Sequence, residues 1–324
     1  MNIRYLILVL TTRCNLSCTY CYNGDQAGED MPPEIIGRAV SLAAEEQSPL
    51  HIQITGGEPT LVPELMTQVV KQAERLSRPV RLAVQTNGTL LGPDILRFFR
   101  NHNIHLGLSL DGPREVNQHL RGGTVAVLQA MPLLESLGVP FNVTAVVTAE
   151  NVGHLERLPL LLAGFSQARG FGLDLLVSKG RGLAQPAGIE ALISNVKKLK
   201  TMLAAVNRRR SHPLLWREQE LLKNRPRTPG VFCHACRAES LAVHPDGRCF
   251  PCGQTLGTPE LCLGYVGGLF SLETPLTDLT LTGEHCQGCR LKGRCPGECP
   301  SRLYYNRSQV IEQACALYRT LATD

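Results

Sequence analysis

The sequence predicts an α/β fold in which six strand–helix repeats come first and a small cysteine-rich region follows. Two observations carry this. Short β-branched or apolar runs at 5–10, 51–55, 80–86, 105–110, 141–148 and 172–177 alternate with longer segments of helical period. The 13 cysteines are split unevenly, with three inside 14–21 and the others beyond residue 232.

The helical segments lie near 34–47, 62–77, 93–102, 123–137, 152–163 and 187–207, and most open on Pro, Ser, Asn or Asp, the residue types that start helices. Strands and helices in this order give parallel strands joined by right-handed crossovers. Six units are too few for a closed eight-unit barrel, and in such folds the functional residues sit where strands run into the following loops. With 324 residues, 43% hydrophobic and 19% charged, the chain can bury a sizeable core. The expected organisation is a first domain over 1–207, a basic linker over 208–232 and a second domain over 233–324. The linker carries Arg208, Arg209, Arg210, Arg217, Lys223, Arg225 and Arg227, is broken by Pro213, Pro226 and Pro229, and reads as a solvated face, partly helical around 214–222.

Composition excludes several classes. No apolar run reaches the roughly 18 residues of a membrane span. A single basic residue precedes the first apolar run, and Arg13 stands where a lipoprotein-type cleavage motif wants a small residue, so no signal peptide is read. An odd number of cysteines in CxxC and CxxxCxxC groups, without an export signal, indicates reduced thiols binding metal in a cytoplasm. A net charge of +5 is too modest to indicate nucleic acid.

Directly after the first strand comes Cys14-x3-Cys18-x2-Cys21. Three thiolates can hold three corners of a [4Fe–4S] cluster and leave the fourth iron open to a ligand that reacts. With Tyr20 before its last cysteine, the motif resembles the signature of the radical S-adenosylmethionine (radical SAM) enzymes. The resemblance implies a partial (β/α)6 barrel whose open iron chelates SAM and whose chemistry begins with reductive cleavage of SAM to a 5′-deoxyadenosyl radical. The loop after the second strand, Gly56-Gly57-Glu58-Pro59, is similar to the family's GGEP motif, where main chain and Glu hold the methionyl amino group. Its glycines suit a backbone that approaches a ligand closely. By the same resemblance Ser109 and Asp111 line the SAM pocket, Asn142 or Thr144 faces the top of the barrel, and Arg121 pairs with the SAM carboxylate through its fork. Turn, cap and solvated-loop roles are the alternative for these residues.

The C-terminal run Cys286-x2-Cys289-x5-Cys295-x3-Cys299, with Cys315 beyond it, resembles the SPASM extension of radical SAM enzymes. The resemblance implies two auxiliary [4Fe–4S] clusters, one on Cys233, Cys236, Cys252 and Cys299 and the other on Cys286, Cys289, Cys295 and Cys315. Cys249 and Cys262 are left over, and Cys249 competes with Cys233 for a ligand place. A zinc ribbon on Cys233, Cys236, Cys249 and Cys252, in a nucleic-acid-binding protein, is the alternative of another class.

Enzymes of this type mostly act on peptides or proteins. The expected function is a radical SAM/SPASM peptide maturase that abstracts hydrogen from a residue of a ribosomally synthesised precursor, making a crosslink, a thioether or an epimer. A small metabolite is the alternative substrate. Sulfatase-maturing enzymes carry an Asp after the cysteine equivalent to Cys252; here Gly253 stands there, which disfavours formylglycine formation. Cys262 is a candidate hydrogen donor for epimerisation. The chain starts at its first barrel strand, so a precursor is expected to be recognised by the barrel mouth, the linker or a separate leader-binding protein, and a flavodoxin- or ferredoxin-type electron donor is an expected partner. Neither membrane nor nucleic acid is expected.

Overall fold

Alternation along the first strands sorts side chains onto two faces. The computed structural model describes residues 2–25, 28–44, 48–224, 232–279 and 284–323. The six expected strands are β1 (Tyr5–Val9), β2 (Leu50–Thr55), β3 (Val80–Thr86), β4 (His105–Ser109), β5 (Phe141–Val147) and β6 (Ala168–Leu175), all parallel. Leu6, Leu8, Leu50, Ile52, Ile54, Leu106, Leu108 and Val143 face outward into one large core under the helices. The opposite face carries Tyr5, Gln53, Gln85, Ser109, Thr144 and Asp174, which line a cavity instead. A sheet covered by helices on one face and polar on the other is what a curved, half-open barrel requires.

The connecting helices are α1 (Pro33–Leu42), α2 (Pro63–Ala73), α3 (Pro93–Asn101), α4 (Arg114–Leu120), α5 (Thr124–Ser136), α6 (Arg157–Ala163) and α7 (Ile189–Asn207). Proline opens α1, α2 and α3, where its missing N–H costs nothing. The seven-residue α4 is absent from the sequence expectation, because the Asp-Gly-Pro run before it reads as a turn.

Beyond α7 the chain departs from the expected linker. Here β7 (Leu215–Trp216) pairs with β6, and α8 (Arg217–Asn224) follows. Trp216 is fully buried, its indole N–H donating to buried Glu218, and Arg210 donates to the carbonyls of Leu162, Ala163, Phe165 and Ala168. The segment is packed because its arginines find acceptors on the barrel. The calls on Arg225, Pro226, Arg227 and Pro229 lie outside the described residues.

The cysteine-rich region is joined to the same sheet. β8 (Ser240–Val243) runs parallel to β1 on its free edge, and β9 (Arg248–Phe250) and β10 (Gly264–Tyr265) extend it antiparallel. Among the described residues the sheet therefore runs β10-β9-β8-β1-β2-β3-β4-β5-β6-β7, and both edges of the six-stranded core are covered. After α9 (Pro275–Asp278), α10 (Pro300–Asn306) and α11 (Ser308–Leu321) end the chain, with α11 packed along α7.

Candidate active site

The loop between β1 and α1 is held from three sides. Asn15 bonds Thr89 (2.8 Å) and Asn87 (2.9 Å) at the end of β3. The Thr19 N–H donates to Leu120 O at the end of α4. From the segment after β6, the Arg181 side chain donates to Cys18 O (3.2 Å) and its backbone N–H to Cys21 O (3.1 Å). Gly180 lies so close that a Cβ would stand 2.1 Å from Cys21 O. Cys14 is exposed, Cys18 and Cys21 are half-buried, and all three line one cavity of about 410 Å³. Burial pushes the Cys18 thiol up to about 11, so a metal cluster that takes it as thiolate must release its proton on binding.

The Gly56-Gly57-Glu58 loop does two things, neither quite the expected one. A Cβ on Gly56 would lie 2.5 Å from Thr11 O, and one on Gly57 2.2 Å from Arg13 O. Through this close approach the Gly57 N–H reaches Thr11 O and the Glu58 N–H reaches Arg13 O, both at 2.8 Å. The glycines are thus demanded by the cysteine loop's own backbone as well as lining the cavity. Glu58 is fully buried and absent from the cavity lining. Its carboxylate accepts from Thr60 N–H (3.1 Å), Thr60 O–H (2.5 Å), Thr86 O–H (2.6 Å) and Asn87 N–H (2.7 Å), which locks the end of β3 to the loop. Burial raises this carboxyl above its usual range against those four donors. The expected contact with a ligand's amino group is therefore corrected: the side chain is spent on the protein, and only the glycine backbone faces the cavity. Pro59 is buried behind it, opening a short 3-10 turn. Replacing Gly57 by alanine should shift the Arg13 carbonyl and lower stability by about 1–3 kcal/mol, read as a lower Tm with poorer iron retention. Gly153→Ala, where an added Cβ meets nothing within 4 Å, should leave both unchanged.

A second buried carboxylate organises the opposite wall. Asp111 follows β4 and is fully buried; it accepts from Arg121 Nε (2.8 Å), the Val146 N–H (2.9 Å) and the Tyr20 hydroxyl. The Arg121 guanidinium also lies 5.2 Å from the Tyr20 ring centre. Asp111 thus stands behind the cavity wall, while Tyr20 and Arg121 line it. The fork expected to grip a ligand carboxylate is already engaged by Asp111, which holds the guanidinium well above its usual range despite burial.

Ser109, Gln85, Gln53 and Thr144 complete the wall, with Gln85 donating to Ser109 Oγ at 2.9 Å. Asn142 is exposed and outside the cavity, which corrects its assignment. It lies on the same strand face as Thr144 but two residues nearer the start of β5, at the far end of the barrel. Sequence reasoning missed Arg181, Asp174, Arg217 and Gln254, all of which line the cavity. Arg217 pairs with Asp174 at 2.8 Å, and buried Arg302 reaches Asp174 (3.5 Å) and Glu298 (2.6 Å). No local motif marks them, because the pairs join β6 to segments far along the chain.

The C-terminal cysteines fall into separate groups. Cys233 lies within electrostatic reach of Cys236, Cys299 and Cys252, and Cys295 within reach of Cys315, Cys286 and Cys289. Cys249 is fully buried and neighbours Cys262 instead. Cys262 packs with Ile7, Val9, Phe250 and Leu256, its thiol directed at Gly264 O, and it does not line the cavity. Its expected role as a hydrogen donor is corrected accordingly. Gln254 connects the first group to the cavity: it lies on the cavity wall and its side-chain oxygen accepts from Cys299 (3.6 Å).

Residues 8–161 match the family described as the radical SAM superfamily. These residues form a radical SAM domain. The serine-type anaerobic sulfatase-maturating enzyme of Klebsiella aerogenes is 25% identical, over 90% of this chain and 78% of that protein. Among solved structures, native anSMEcpe with bound AdoMet and Cp18Cys peptide superposes with a TM-score of 0.79 at 21% identity, covering 98% of this chain and 95% of that one. Streptococcus suis SuiB bound to precursor peptide SuiA superposes with a TM-score of 0.70 at 16% identity, covering 94% of this chain and 74% of that one. The fold is thus that of radical SAM/SPASM enzymes. A radical SAM enzyme works with a [4Fe–4S] cluster and SAM, and auxiliary clusters accompany the SPASM type. Three cysteines on one exposed loop, opening on a cavity of polar wall residues, are a donor set that fits such a cluster and its ligand. No helix among the described residues is long and apolar enough to cross a membrane.

Proposed function

We propose that this enzyme is a peptide maturase that removes hydrogen from a residue of a ribosomally synthesised precursor and forms a crosslink or thioether. One observation carries the reading. A single cavity brings together Cys14, Cys18 and Cys21, the polar barrel wall, and Gln254, whose side-chain oxygen lies 3.6 Å from the sulfur of Cys299 in the first C-terminal group. The SAM-binding cluster supplies one-electron cleavage of SAM and hence a radical that takes a hydrogen atom. The protein's part is placement. Cys14, Cys18 and Cys21 hold that cluster, Gly56 and Gly57 bring their backbone to the cavity, and Gln53, Gln85, Ser109 and Thr144 orient polar ligand groups. Cys233, Cys236, Cys252 and Cys299 would hold one auxiliary cluster, and Cys286, Cys289, Cys295 and Cys315 the other. A barrel over 1–207, a connector over 208–232 and a SPASM unit over 233–324 follow from that assignment. A flavodoxin- or ferredoxin-type donor, a separate leader-binding protein and a reducing cytoplasm are part of the same proposal.

Cys262 packs away from the cavity, so epimerisation lacks its thiol donor and dehydrogenative bond formation is favoured. Gly253 leaves formylglycine formation without the expected base. The peptide-bound relatives described above support a peptide substrate over a small metabolite. Incubating candidate precursor peptides with reduced enzyme and SAM, followed by mass spectrometry, should show loss of two hydrogens per modified site. Unchanged mass with deuterium uptake from solvent would replace this reading by epimerisation.

A further inference from the structure

The segment after β6 turns back over the cysteine loop. Its Arg181 N–H donates to Cys21 O (3.1 Å), the Leu183 N–H donates to Thr19 O (3.1 Å), and Gly180, at φ +75°, lets the two backbones close on each other. This return delivers the Arg181 side chain to the cavity wall beside the cysteines. One Nη donates to Cys18 O (3.2 Å), while Nε and the other Nη donate to Asp25 (3.1 and 2.6 Å). The cationic residues of that wall are Arg121, Arg181 and Arg217, and their charges are compensated to different degrees. Asp111 beside Arg121 is fully buried, and Arg217 has buried Glu218 and half-buried Asp174. Arg181 differs. Its side chain is only 20% exposed while that of Asp25 is 88% exposed, so solvent screens the carboxylate far more than the guanidinium. Positive charge therefore remains where the wall meets Cys18 and Cys21.

We propose that the Arg181 guanidinium raises the reduction potential of the cluster held by Cys14, Cys18 and Cys21. The proposal rests on the reading above that these cysteines hold the SAM-binding cluster. Three thiolates give such a cluster a net negative charge, and the electron needed to cleave SAM adds to it. A cation fixed in a partly desolvated wall favours the reduced state, since net charge and neighbouring hydrogen-bonding groups set the potentials of these clusters. Asp25 counteracts it from the solvent side, so the two side chains act with opposite sign. That sign separates an electrostatic role from a mechanical one: as a clamp on the loop, the pair would lose the same function whichever partner was removed.

The test is an anaerobic redox titration of the reconstituted holoenzyme, followed by electron paramagnetic resonance. The signal to follow is the one missing from the variant with Cys14, Cys18 and Cys21 all changed to alanine. Arg181→Gln should lower the equilibrium constant for its reduction about tenfold, a shift of about 59 mV to more negative potential. Arg181→Lys, which keeps a cation, should stay within about threefold of wild type, and Asp25→Asn should move the potential in the positive direction. Iron content equal to wild type shows that each variant is loaded. Should Arg181→Gln fail to hold iron, Asp25→Asn decides alone: a higher potential supports the proposal, and an unchanged or lower one overturns it. An unchanged potential in Arg181→Gln, or an equal loss in Arg181→Lys, would overturn it as well. Failure of the underlying reading looks different: no signal would then distinguish the triple cysteine variant from wild type.

Discussion

Changing Cys14, Cys18 and Cys21 together to alanine should leave a folded protein that no longer converts SAM to 5′-deoxyadenosine. The loop is positioned by backbone and side-chain bonds that do not involve the sulfurs, from Asn15 to Thr89 and Asn87, from Thr19 to Leu120, and from Arg181 to the Cys18 and Cys21 carbonyls. Cys14 is exposed and the other two are half-buried, so removing three sulfurs costs little packing. The chemical loss is complete, because the open iron that chelates SAM is gone. Iron and sulfide analysis after anaerobic reconstitution should fall from about twelve to about eight iron atoms per chain. Retained deoxyadenosine formation in the triple variant would remove the basis of the proposed reaction. Zinc in place of iron at the C-terminal cysteines would remove the auxiliary clusters while leaving the first one standing.

Asp111→Ala should be among the most destabilising single substitutions in the barrel. The carboxylate is fully buried and is the acceptor for Arg121, for the Val146 N–H and for the Tyr20 hydroxyl. Removing it strands a guanidinium whose side chain is only 10% exposed, and breaking one partner of a buried pair costs about 3–5 kcal/mol. Tyr20 is part of the cysteine motif, so the damage should pass from the barrel wall to the loop that holds the metal. Thermal unfolding of Asp111→Ala should show a markedly lower Tm together with reduced iron retention. Arg121→Met, which removes the buried charge while keeping most of the side-chain volume, should lower Tm as well, since Asp111 is then the unpaired charge. A Tm within one or two degrees of wild type for both variants would show that the pair is not a structural clamp.

Much of the architecture could be read from residue order. The apolar runs became β1 to β6, with β6 beginning earlier than its run suggested because Gly170 and Gly172 interrupt the apolar pattern. Gly172 has a physical reason to be there: a Cβ would stand 2.6 Å from the Arg217 guanidinium carbon. The helices opened on the expected prolines, and the cysteine and Gly-Gly-Glu loops fell at the ends of β1 and β2. Local rules suffice for these features because each depends on neighbours a few residues away.

Placement within the site followed a different logic. Glu58, Asp111 and Arg121 were legible as polar residues at strand ends, yet whether each faces a ligand or the protein depended on partners 28 residues away for Glu58, 91 for Asp111 and 10 for Arg121. Asn142 and Thr144 share a strand face, and only the depth of the barrel separates the exposed one from the one in the cavity. Arg217 looked like one charge in a basic run, and its pairing with Asp174 and Glu218 came from β7 docking on the sheet edge.

Taken alone, the order of residues determined the alternating strands and helices and the three-cysteine loop that can hold a cluster, since spacing is a one-dimensional property. The folded chain decided which carboxylates are consumed as internal anchors, which spare thiol is walled off, and that the cysteine-rich region continues the barrel's own sheet beside β1. Those outcomes turn on burial and on contacts between distant segments, where the cost of leaving a charge or a hydrogen-bonding group unpaired selects the arrangement.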